Sequence, residues 1–225
     1  MTHSIVYKLI RNDLKINRKP IVLWLIAAAL GIVITYSIPG LVAANIGFSL
    51  LASAIIGLGI HMLSHTVLYD SLKGTHIFIL SLPVNFKQYT LAKLSVNMLV
   101  FYGMWLLFSV ACLYVTFSHD IFPMGSLPMM LIVLLSILPF YSIILSICII
   151  TQSIGYTVVS TVSLSFATSA YLWKIVYLDS IGDYVWGNQP AWNSTVFSII
   201  IAQLVITIVF HVFTYIIQSK KKDII

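Results

Sequence analysis

Glutamate is missing from the sequence altogether, and all six aspartates lie outside its long uncharged stretches. Carboxylates inside the membrane are the usual equipment of proton and sodium relays, so their absence argues against ion-driven secondary transport and against intramembrane enzymes that depend on glutamate. Charge of either sign is scarce. Only 8% of residues are charged and 60% are hydrophobic, whereas a soluble domain carries about 25% charged residues. This excludes a soluble catalytic domain of ordinary size and identifies a membrane protein. The two cysteines, Cys112 and Cys148, fall inside predicted spans, where thiols pack as small apolar groups, so they report no redox compartment. There is no GxSxG elbow and no GxxxxGK[ST] loop, and the sole Gly-Xaa-Gly is Gly57-Leu58-Gly59 within a span. Any ATP used by this protein is therefore bound by another chain. A secretory signal is also lacking, because Lys8, Arg11, Lys15, Arg18 and Lys19 interrupt the apolar core it needs, and the first residues are expected to stay in the mature protein.

What the sequence has is long apolar runs. Residues 20–69, 94–119, 121–173 and 184–219 are free of charge, and at roughly 20 residues per span they hold two, one, two and one membrane helices. A barrel is excluded, because its strands alternate apolar and polar residues, while 131–138 and 199–210 are nearly solid Ile, Leu, Val and Phe. The predicted fold is all-α: one transmembrane domain over 1–225, with an N-terminal amphipathic helix followed by six spans at 21–36, 41–63, 94–117, 127–150, 154–177 and 195–217. In the first segment, 1–19, Ile5, Val6, Leu9, Ile10 and Leu14 recur at helical spacing opposite Lys8, Arg11, Asn12 and Lys15, the pattern of a helix in the headgroup layer. Ser37-Ile38-Pro39-Gly40 and Thr151-Gln152-Ser153 predict two tight reversals.

Cytoplasmic loops retain Lys and Arg. With both termini inside, Lys8, Arg11, Lys15, Arg18, Lys19, Lys73, Lys87, Lys93, Lys220, Lys221 and Lys222 are cytoplasmic and only Lys174 is outside. The net charge of +6 thus reports topology and attraction to anionic lipid, and nucleic acid is not a needed partner. Outer segments at 118–126 and 179–194 are short, the basic tail spans 218–225, and the one long inner loop, 64–93, is the surface a cytoplasmic partner must read.

His61 and His65 stand one helical turn apart, with His76 and Asp70 near in sequence, and a membrane-embedded metal enzyme built on them is one reading. Two histidines are an incomplete site, however, so interfacial, hydrated histidines and no metal are expected. Within the predicted spans, Thr157, Thr161 and Thr168 recur near helical spacing, and Gln203, Thr207 and His211 are four apart. These residues either hydrogen-bond between helices or line a translocation path. Ala43 with Gly47 and Ser53 with Gly57 supply small faces for close helix approach, and Trp173, Trp186 and Trp192 with Tyr171, Tyr177 and Tyr184 form an aromatic belt.

The inner loop carries a resemblance. Asp70, Lys73 and Gly74, then Leu80-Ser81-Leu82-Pro83-Val84, Lys87-Gln88-Tyr89 and Leu91-Ala92-Lys93 are similar to the loop of small ABC-2 type permeases, with Asn85-Phe86 where that family often has Ser-Arg and Asp70 where glutamate is more usual. The resemblance implies two paired permease subunits, each recruiting a separate ATP-binding subunit that holds ATP and magnesium, with no cofactor on this chain. It also implies a coupling helix in the loop, for which Asp70, Lys73, Gly74, Phe78, Leu82, Pro83 and Lys87 are the candidate contacts. Composition and short outer loops look most like the small permeases of Gram-positive bacteria, among them the staphylococcal exporter of phenol-soluble modulin peptides. The expected cargo is an amphipathic or hydrophobic substrate, a peptide before a drug or lipid, leaving through the bacterial plasma membrane. A non-catalytic membrane adaptor is the remaining class.

Overall fold

The computed structural model describes residues 2–38, 40–73, 84–118 and 121–220. These form the helices α1 (Thr2–Ile16), α2 (Arg18–Ser37), α3 (Leu41–Leu63), α4 (Tyr69–Leu72), α5 (Phe86–Ser118), α6 (Leu127–Thr151), α7 (Ile154–Val176), α8 (Asp179–Gly182) and α9 (Ser194–Ser219), with no strand among the described residues. A π-helical turn, Ser64–Leu68, joins α3 to α4 without a break in the helical path. Helices are what an apolar solvent demands, since each backbone N–H and C=O must be satisfied within the segment.

Among the described residues, five stretches are long and apolar enough to cross a membrane: Arg18–Ser37, Asn45–Leu68, Phe86–Ser118, Met124–Thr151 and Ser194–Ser219. The other predicted span, 154–177, is helical as α7 and 23 residues long, but is not among the five. Its serines and threonines at 157, 160, 161, 163, 165, 168 and 169 dilute its apolar character.

The boundaries of the predicted inner loop move inward. Residues 64–72 continue α3 as the π turn and α4, and α5 begins at Phe86, so Lys87 and Lys93 stand on α5. Its start is fixed locally: the Gln88 amide N–H donates to Asn85 Oδ1 at 2.9 Å, while the Asn85 N–H donates to Gln88 Oε1 at 3.1 Å. This reciprocal capping box satisfies two N–H groups that a helix start leaves open.

The helices pack around α3, α5 and α6, where Leu51, Ile55, Leu58, Met62, Val96, Phe101 and Leu145 form the main buried cluster. A smaller cluster, Ile132, Ile175, Ile181 and Val196, ties α6, α7, α8 and α9 together at the other end. α2 lies on α3 through small residues. A Cβ on Gly31 would come within 2.8 Å of the Gly47 carbonyl oxygen, and one on Gly47 would overlap the Thr35 hydroxyl. Gly57 accepts the Trp24 ring against its Cα. The α2–α3 reversal needs Gly40 at φ 117°, a backbone state that costs glycine little, and α6 turns into α7 through Gln152 at φ 50°.

The close approach of α2 makes a prediction. Gly57→Ala should lower stability by about 1–3 kcal/mol through overpacking against Trp24, whereas Gly103→Ala, whose Cβ meets nothing within 4 Å, should not. Thermal unfolding of the two purified variants in the same detergent checks this.

Candidate functional site

The most buried charge in the described structure is on α5. The Lys93 side chain is 3% exposed, and its ammonium donates to Asp13 Oδ2 at 2.8 Å and Asp70 Oδ2 at 2.7 Å. Asp13 comes from α1 and Asp70 from α4, so one ammonium on α5 joins its own helix to two others through residues 80 and 23 positions away in sequence. α1 reaches this position because Ile10 and Leu14 pack on the main core, which carries Asp13 inward on the same side. Burial pushes the Asp13 carboxyl above its ordinary range, and the nearby Asp70 charge adds to that, outweighing the opposing pull of Lys93. Protonation of Asp13 leaves one cation facing one anion.

A polar ladder continues from Lys93 into the helix bundle. Asn97, one turn along α5, donates through Nδ2 to the Lys93 carbonyl and to Thr66 Oγ1, both at 2.8 Å, and its Oδ1 accepts from the Tyr141 hydroxyl at 3.3 Å. Thr66 lies in the π turn and donates to the Met62 carbonyl at 2.6 Å. The Tyr141 ring stacks on Phe101 with centroids 3.5 Å apart. A π turn locally changes the register of a helix and often marks a functional position; here it turns Thr66 toward Asn97.

The predicted path residues of α9 are brought together along the seam with α6. Gln203 donates to the Ile132 carbonyl at 3.1 Å and to the Tyr171 hydroxyl at 2.8 Å, and Gln218 donates to the Ile149 carbonyl at 2.7 Å. His211 Nε2 bonds Tyr102 of α5 and, at 3.2 Å, Ser142 of α6. Thr207 is buried and donates to the Gln203 carbonyl at 2.8 Å. On α7, Thr157 and Thr161 donate to the carbonyls one turn back, both at 2.8 Å, while Thr168 borders a cavity shared with Gln203 and Tyr171. Thr157 and Thr161 border a different cleft, of about 310 Å³, against Leu63, Leu68 and Tyr69.

His61 and His65 stack face to face with centroids 4.3 Å apart, and His65 stacks in turn on Tyr69. No group of three His, Cys, Asp or Glu among the described residues converges as metal ligands, and His76 lies outside those residues.

The chain matches the family described as ABC-2 family transporter protein over residues 8–221. It belongs to that family. It is a multi-pass membrane protein and a permease subunit of an ABC transporter, with a transport role in place of an enzymatic one. Such a permease works with an ABC ATP-binding partner. No curated protein matches the chain, nor does any solved structure, and the closer likeness to the exporter of phenol-soluble modulin peptides has no support.

In this permease the residues expected to meet the ATP-binding subunit divide. Asp70 is held by Lys93, the Lys73 ammonium lies 4.4 Å from the centre of the Tyr69 ring, and Lys87 is exposed on the first turn of α5. Gly74, Phe78, Leu82 and Pro83 lie outside the described residues. Sequence reasoning gave Lys93 a place in the topology and in the family-like loop but no partner, and it missed Asp13. The available signal was an acid at position 13 on the apolar side of α1, in a chain with so few acids.

Removing the cation from this cluster leaves two buried carboxylates without it. Lys93→Met should therefore lower stability by about 3–5 kcal/mol, and Asp13→Leu and Asp70→Leu added to it should restore much of that loss. Denaturation of the purified single and triple variants is the measurement. The raised Asp13 pKa has its own sign: this group favours folding most below its unfolded pKa, and its contribution falls as pH rises through the folded value.

Proposed function

We propose that this permease is the membrane half of a bacterial plasma-membrane exporter that moves an amphipathic or hydrophobic substrate, a peptide in the first instance, driven by ATP hydrolysis on a separate subunit. Six membrane helices, α2, α3, α5, α6, α7 and α9, with both termini cytoplasmic, carry out this role, and a second permease subunit completes the path. The observation that carries the substrate class is the character of the clefts between helices. One cleft, of about 430 Å³, is bordered by Phe48, Phe108, Phe122, Met129 and Met130, and another, of about 310 Å³, by Ile60, Leu68 and Val158. Such predominantly apolar walls favour apolar groups and carry no charged side chain to replace the hydration of an ion.

The coupling assignment is supported by the Lys93 cluster. Asp70 on α4 and Lys93 on α5, the two helices that flank residues 74–83 in sequence, are joined by an ion pair. A partner that changes shape on binding ATP shifts a permease only through contacts that differ between conformations, and the Lys93 pairs link a displacement of α4 to α1 and α5. The second reading, an enzyme centred on His61 and His65, has no third ligand among the described residues in its favour.

Three experiments test the proposal. Cysteine introduced at Asn188, in a chain lacking Cys112 and Cys148, should react with an impermeant thiol reagent outside intact cells, and cysteine at Lys73 should not; the reverse pattern defeats the orientation. The triple variant Lys73→Ala, Phe78→Ala, Leu82→Ala should insert normally yet lose copurification of the ATP-binding subunit, or retain it with hydrolysis that no longer responds to substrate. Unchanged peptide export in cells lacking the chain would remove the peptide and leave drugs or lipids.

A further inference from the structure

Between α6, α7 and α9 lies a cavity of about 280 Å³, walled by Pro139, Phe140, Leu164 and Ile206 and bordered by Gln203 and Tyr171. Its polar edge is incomplete. The Gln203 side chain is 4% exposed, and its Nε2 uses both hydrogens, one to the Ile132 carbonyl and one to the Tyr171 hydroxyl. That first bond tells Nε2 from Oε1, since a carbonyl oxygen only accepts. Two consequences follow. Gln203 Oε1 is buried without any hydrogen-bond partner, and Tyr171, acting as acceptor in its bond to Gln203, still has its own O–H to donate. A buried acceptor left unmatched is uncommon in folded proteins and calls for a reason.

We propose that this cavity is a binding site for one residue of an extended apolar peptide, whose own N–H donates to Gln203 Oε1 and whose own C=O accepts from the Tyr171 hydroxyl. In an extended chain the N–H and C=O of one residue point to the same side, which is how two strands exchange a pair of hydrogen bonds. The free acceptor and free donor at the cavity edge complement that pair, and the apolar wall takes the side chain. A lipid acyl chain fills the same space but leaves both groups unmatched. The terminal dihedral of glutamine is broad, so a small turn of the carboxamide brings the shielded Oε1 to the cavity edge as the ligand enters. The site rests on the reading of this permease as a peptide carrier and adds to it where, and through which atoms, a peptide is held.

The test uses the full chain in lipid nanodiscs and two radiolabelled probes: N-octanoyl-leucine N-methylamide, and the ester isostere in which only the leucine N–H is replaced by oxygen. Saturable binding is corrected for partition into empty nanodiscs. One hydrogen bond of ordinary net strength corresponds to a preference of about five- to tenfold for the amide. That preference is expected in the native chain and should vanish in Gln203→Met, while Tyr171→Phe should weaken both probes alike. Equal binding of the two probes by the native chain overturns the proposal, as does an amide preference that survives in Gln203→Met. The assay needs neither ATP nor the partner subunit. Equal probe binding with peptide export intact defeats this site alone, and an amide preference without peptide export defeats the exporter reading alone.

Discussion

A lysine ammonium shared by two carboxylates holds one end of this permease together. Leaving Lys93 unpaired in so buried a position would be prohibitive, because a charge withdrawn from water must be compensated by partners in good geometry. Asp13 and Asp70 supply that compensation from two other elements, and the requirement fixes several features at once. α1 must lie against α5 with Asp13 facing inward, and α4 must lie beside the first turns of α5. Asn97 and the π turn extend the same constraint to Tyr141, so that the helix register of α3, α5 and α6 is specified by polar contacts.

The rest of the bundle is held by the forces that remain when the solvent is itself apolar. Lipid does not reward burial of Leu or Ile over their exposure, so close packing of small residues and hydrogen bonds between helices decide which faces meet. α9 is the clearest case. Its buried stripe includes Gln203, Thr207, Thr214 and Gln218, while Ile201, Val205, Ile208, Val212 and Phe213 are exposed, the reverse of a helix in a soluble protein. Gln203, His211 and Gln218 bond to α5, α6 or α7 in turn. At the α2–α3 contact the same role falls to Gly31 and Gly47, whose lack of side chains lets the backbones approach.

These contacts hold different parts of the molecule by different forces. The Lys93 cluster and its ladder brace the end that adjoins segment 73–85. The clefts beside α7 are walled by side chains held mainly by dispersion, and α7 buries only a narrow stripe that includes Thr157 and Ile175. Displacement of α1 from α5, by contrast, would separate buried charges.

The helices were legible in the sequence because each is a local property: uninterrupted apolar runs with glycine or a polar triplet at the reversals fix the spans 21–36, 41–63 and 127–150 to within a few residues of α2, α3 and α6. The amphipathic stripe of α1, the likeness of the inner loop to ABC-2 permeases and the small-residue face at Gly47 and Gly57 were also readable, since spacing along one helix suffices for them. The start of α5 was not, because Lys87 and Lys93 read as loop charges until a partner for Lys93 is known. That partner lies 80 residues away in Asp13, and no local pattern encodes such a pairing. Whether the hydroxyls and amides of α7 and α9 face one another or a cavity was likewise open, because a polar stripe records only that a face avoids lipid. Composition and periodicity determined the class, the helices and their order; the tertiary structure alone decided which polar groups found partners and which, like Gln203 Oε1, were left without one, since that depends on distances between segments remote in sequence.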